Sequence, residues 1–153
     1  MRNTWKALAM LSLLGVMADA CKHGKCEGGG TSSHGSTRSH NVGENCMSCH
    51  HPDGEGHGCW QIGGTVYYSD HHTTLSNAKL LLFTLPQGQG TFVRSIDVDG
   101  LGNVYTSDKI PFDQTIFPAI LIPSGDTAFM TEPIHDGACN RCHGVSTERI
   151  TGP

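Results

Sequence analysis

The chain carries Cys46-Met47-Ser48-Cys49-His50 and Cys139-Asn140-Arg141-Cys142-His143, two copies of Cys-x-x-Cys-His. That spacing is the attachment signature for c-type haem. The two thiols add across the vinyl groups of the porphyrin to give thioethers, and the adjacent histidine is carried under the ring to coordinate iron from one face. With seven cysteines and ten histidines in 153 residues, roughly 0.02 such motifs are expected by chance, so two copies are a strong signal. Structural zinc uses the same residue types, but it needs four ligands brought together, whereas here a histidine directly follows each cysteine pair. The expectation is two covalently attached haem c groups, held through Cys46, Cys49, Cys139 and Cys142, with His50 and His143 as iron ligands. No catalytic residue is assigned.

A low-spin electron-transfer haem needs a sixth ligand, usually histidine or methionine, and thioether favours ferrous iron more than imidazole does. His40 lies six residues before Cys46 and is the preferred second ligand of the first haem. Met130 and His135 precede the second motif, and either is expected to complete the second haem with His143. His51 points away from the haem that His50 binds, which makes it a candidate for a neighbouring one. His71 and His72 fall in an expected surface loop.

The positioning elements start at the N-terminus. Arg2 and Lys6 precede an apolar run from Ala7 to Ala18, and Ala18-Asp19-Ala20 offers a cleavage site before Cys21. Residues 1–20 are expected to be an export signal, too short for an ordinary transmembrane helix. Cys21 is either the lipidated first residue of an anchored form or part of a soluble secreted one; Asp19 fits lipoprotein cleavage poorly. Residues 21–38, with Gly28-Gly29-Gly30-Thr31-Ser32-Ser33, read as a flexible tether. If Cys21 carries lipid, Cys26 and Cys59 are free to pair; otherwise Cys21 with Cys26 is the second arrangement.

Residues 39–60 and 132–153 are then the two haem segments, and 61–131 an all-β unit between them. Short β-branched and aromatic runs cover Gly64–Tyr68, Asn77–Thr84, Thr91–Val98, Val104–Thr106, Ile116–Ile122 and Thr127–Met130. In the third run Phe92, Ile96 and Val98 are expected to share one face, and Pro118 suggests an edge or a bulge. Asp97 and Asp99 before Gly100 are expected to form a plain turn, because the next alternate position, Leu101, cannot ligate calcium. The fold class expected is mainly β, a single antiparallel sandwich flanked by two irregular haem-binding segments.

Gly63-Gly64-Thr65-Val66-Tyr67, Leu75-Ser76-Asn77-Ala78-Lys79-Leu80 and Val98 to Tyr105 resemble transthyretin-like or carboxypeptidase-regulatory-like domains, over nearly half the chain. The resemblance implies an Ig-like sandwich that is structural or adhesive, with no catalytic constellation. Ser39 to His50 resembles a leader that recurs in small exported multihaem cytochromes. Together they imply a small dihaem cytochrome with a sandwich insert, exchanging electrons with redox proteins or extracellular acceptors at the cell envelope or outside the cell. Two further readings are a subunit of a conducting extracellular filament, self-associating head to tail, and a haem enzyme such as a peroxidase. The length is short for the last. A formal charge of −4 offers no basic footprint for nucleic acid.

Overall fold

The computed structural model describes residues 26–153. The expected export signal and Cys21 lie outside them. The described chain is mainly β, in two sheets. Strands β1 (Ile62–Tyr67), β4 (Asn103–Thr106), β7 (Gly137–Ala138) and β8 (Ile150–Thr151) form one; β2 (Lys79–Phe83), β3 (Phe92–Asp97), β5 (Phe117–Leu121) and β6 (Thr127–Phe129) form the other, in the order β3-β2-β5-β6. All six expected runs are strands. The two-residue strands β7 and β8 are too short to leave a periodic pattern in sequence.

Alternation decides which side chains go inside. In β2, Leu80 and Leu82 are buried while Lys79 points outward to an ion pair with Asp97 across the ladder. Ile62 and Val66 of β1, Leu80 and Leu82 of β2, Ile96 of β3, Val104 of β4 and Ile120 of β5 join one apolar cluster fed by both sheets. Each such side chain contributes about 1.5–3 kcal/mol by leaving water.

Two expectations about strand faces are corrected. Leu82 pairs with Arg94 and Phe83 with Phe92, so Val93 is an extra residue opposite no partner. This bulge turns Phe92 to the outer face, 55% exposed and edge-on to Phe83 at 5.8 Å, while Val93 packs on the core. Pro118 marks neither an edge strand nor that bulge: β5 lies between β2 and β6. Pro118 accepts from the Met130 N–H, so its missing N–H faces the side where β6 ends.

The Gly/Ser-rich stretch is also not a free tether over its described part. Cys26 is joined to Cys59, the first of the two pairings left open by the sequence. Thr31 bridges Thr106, and the Ser107 N–H donates to the Gly30 carbonyl. Ser32 is buried, its hydroxyl donating to the Asp97 carbonyl at 2.6 Å and accepting from the Tyr105 N–H at 3.0 Å. Small residues there permit close backbone approach to β4. The Asp99 turn forms as expected, one carboxylate oxygen accepting from the Leu101 and Asn103 N–H groups.

Candidate functional site

Each motif folds into a one-turn 3-10 helix, Cys46–Ser48 and Cys139–Arg141. Asn45 caps the first through the Met47 N–H, and the Cys49 and His50 N–H groups both donate to the Cys46 carbonyl. The following loop returns on itself, with the Gly56 N–H donating to Cys49 and the Trp60 N–H to His50. A side chain at Gly54 would collide with the Cys49 carbonyl, so the loop closes only with glycine there. Its closure sets the His57 carbonyl 3.0 Å from Nδ1 of the buried His50. A carbonyl only accepts, so Nδ1 carries the proton and the Nε2 lone pair is left for a metal.

The second motif reaches the same result by another loop. Cys142 and His143 donate to the Cys139 carbonyl; the Val145, Ser146 and Thr147 N–H groups then converge on the Cys142 carbonyl. This tight turn delivers the Glu148 carbonyl to 2.7 Å from His143 Nδ1. His143, like His50, is therefore held with Nε2 free.

β1 brings the motifs together. One edge pairs with β4; the other pairs in parallel with β7 at Ile62 and Gly63 and with β8 at Val66 and Tyr67. The second motif arches out between β7 and β8. In the gap it leaves, the Asn140 side chain accepts from the Thr65 N–H at 3.1 Å and so replaces the missing ladder bond. The Asn140 amide also donates to the Glu44 carbonyl at 3.0 Å and to the Thr65 hydroxyl at 3.1 Å. Gly43 donates to the same hydroxyl, and Asn103 joins it to Ser39 and the His40 carbonyl. Thr65, Asn103 and Asn140 are all buried. A buried polar network thus ties the second motif to the residues that lead into the first.

Consecutive glycines of β1 receive the two motifs on opposite faces. A Cβ at Gly63 would stand 2.7 Å from the Cys46 Cβ, and one at Gly64 would stand 2.8 Å from the Cys139 Cβ. Neighbouring Cα atoms are about 3.8 Å apart, so the first cysteines of both motifs sit against one short stretch of backbone. Burial pushes the Cys139 thiol up to about 12, with the Cys46 sulfur adding to it, and burial also raises Cys46. Cys49 and Cys142 are exposed. In haem-free protein, iodoacetamide is accordingly expected to label Cys49 and Cys142 well before Cys46 and Cys139, read by peptide mass mapping.

Between the second motif and the inner side of β5 and β6 lies a cavity of about 560 Å³. Pro118, Ile120, Ala128, Met130 and Ile134 give it apolar walls, and Cys139, Cys142 and His143 stand at its rim. Met130 and His135 both line it. By the first motif, the His40 and His50 ring centroids are 5.9 Å apart with a tilt of 33°. Two imidazoles on opposite sides of one metal at about 2 Å per bond would be about 6.3 Å apart. His51 is half-buried in the loop after the first motif, and among the described residues it is not one that lines the cavity.

No protein-family model, curated protein or solved structure matches the chain.

The chemistry of the site therefore rests on its own donors. Sequence reasoning missed Asn140, a variable position inside the motif, and Trp60, which stacks on His50 at 3.6 Å. It also missed Asp136, whose carboxylate meets the Arg141 guanidinium at 2.7 Å across the second motif. Burial would raise Asp136, but the Ala138 N–H and Arg141 outweigh it and hold the carboxyl below its usual range. This contribution to stability is complete above the unfolded value of about 3.9 and is lost as pH falls through the folded one. Wild type should lose stability over that acidic span more steeply than Asp136→Asn, in denaturant titrations at pH 2 to 5.

Proposed function

We propose that the protein is an exported dihaem c-type cytochrome that carries electrons, with one haem on each Cys-x-x-Cys-His motif. The observation that carries this reading is the shared geometry of the motifs: in each, a one-turn helix presents two thiols, and a returning loop locks the histidine Nδ1 to a backbone carbonyl. That combination fits covalent haem, which needs two thioether donors and a histidine with Nε2 free. The apolar cavity beside His143 fits a flat hydrophobic group of this size class. Bound haem supplies a one-electron iron centre; the chain holds it, orients its ligand and keeps water from it.

The sixth ligands belong to the proposal. His40 is assigned to the first haem on its separation from His50, and Met130 or His135 to the second on their presence in the cavity wall. The single core fed by both sheets supports a sandwich in which haem fills the open flank beside β5 and β6. The meeting of the motifs on β1 supports electron exchange within one molecule, between partners at the cell envelope or outside the cell. Intact mass of the exported protein, joined to its reduced visible spectrum, tests the reading. Two covalent haem additions are expected, and a mass without them refutes it. A near-infrared methionine charge-transfer band selects Met130, and its absence removes that assignment.

A further inference from the structure

Trp60 sits behind the histidine of the first motif in a stack of three rings. The His50 imidazole and the Trp60 indole are parallel within 8° at 3.6 Å, and Trp60 lies on Tyr105 at 4.3 Å and 13°. The chain around Trp60 is fixed from several directions. Its N–H donates to the His50 carbonyl, the preceding Cys59 is tied to Cys26, and His57 supplies the carbonyl that holds His50 Nδ1. Tyr105 belongs to β4, and its backbone is bonded to Ser32 on both sides. One short segment, 57–60, therefore restrains His50 twice: a hydrogen bond in the ring plane and an aromatic wall on the ring face.

These restraints are different in kind. A hydrogen bond at Nδ1 fixes the tautomer and the in-plane direction, but it leaves the ring free to rock about that bond. A parallel ring against its face removes that rocking, and stacked aromatic pairs contribute about 0.5–1.5 kcal/mol beyond burial. We infer that Trp60 is the positioning residue for His50, setting the rotation of the imidazole plane about its bond to iron, with Tyr105 as the backstop. The inference rests on the dihaem reading, and it concerns the first motif alone: no aromatic pair to His143 is found among the described residues.

The rotation of an axial imidazole is read directly in the EPR spectrum of low-spin ferric haem, and its dielectric surroundings in the midpoint potential. In the two-haem protein, Trp60→Leu should broaden and shift the signal of the first haem more than that of the second. It also admits water beside His50, which favours the more charged ferric state. The reduction equilibrium of that haem should therefore fall at least threefold, about 28 mV at 59 mV per tenfold for one electron. Trp60→Phe, which keeps a stacking face, should restore most of the signal, and Tyr105→Leu should reproduce the broadening more weakly. If Trp60→Leu does not mature with two haems, Tyr105→Leu carries the same test. Unchanged EPR and potential in the variants with both haems attached overturn the inference, whereas absence of haem from the wild type overturns the dihaem reading instead.

Discussion

Asn140→Ala is expected to lower stability by about 2–4 kcal/mol, because it strips partners from the buried Thr65 N–H and hydroxyl and from the part-buried Glu44 carbonyl at once. The Thr65 N–H and the Glu44 carbonyl lose their bonds to the Asn140 side chain, and a fully buried group such as the Thr65 N–H costs about 1–3 kcal/mol when left unsatisfied. The network is closed, with Thr65, Asn103 and Asn140 at 1%, 2% and 3% exposure, so water cannot take over without opening the fold. Asn140→Asp should be no better. It keeps an acceptor for Thr65 but sets a carboxylate against the Glu44 carbonyl, where only a donor fits. Denaturant titration of the three proteins reads the difference. A loss below about 0.5 kcal/mol in the alanine variant would mean that the network does not join the motifs as described.

Gly63→Ala and Gly64→Ala are expected to damage different motifs although they are neighbours in sequence. A methyl at Gly63 enters the space of the Cys46 Cβ and, at 3.3 Å, the Trp60 ring; a methyl at Gly64 enters that of the Cys139 Cβ. Neither glycine has a positive φ, so the cost is steric rather than conformational. Overpacking of this kind costs about 1–3 kcal/mol. Here it falls on the backbone that must present a thiol, so haem occupancy is the sensitive readout. Gly63→Ala should deplete haem at Cys46 and Cys49 severalfold while the second motif stays full, and Gly64→Ala should do the reverse. Peptide mapping of haem-bearing fragments separates the sites. Equal depletion of both by either substitution would contradict the opposite-face arrangement.

The motifs, the strands and the cysteine pairing were legible in sequence to different depths, for physical reasons. Cys-x-x-Cys-His is a local signal, because its spacing answers to the dimensions of one cofactor. The strands carried period-2 burial and turn residues. By contrast, Phe92 was misread because a one-residue bulge inverts a strand face without altering its composition. The glycine-rich segment after Cys26 was misread because glycine marks flexibility and close packing alike. The approach of the two motifs was invisible, since it depends on parallel pairing of two-residue strands to β1 and on one asparagine standing in for a ladder bond. A picture of motifs at the two ends of a scaffold gives way to a picture of two Cys-x-x-Cys-His motifs against one strand.

EPR of the fully oxidised two-haem protein, compared with Cys46→Ala/Cys49→Ala and Cys139→Ala/Cys142→Ala single-haem variants, tests that picture most directly. Two ferric irons held against the same strand should interact, so the spectrum of the whole protein should differ from the sum of the single-haem spectra. A spectrum equal to that sum, or a wild-type protein carrying fewer than two haems, would contradict it.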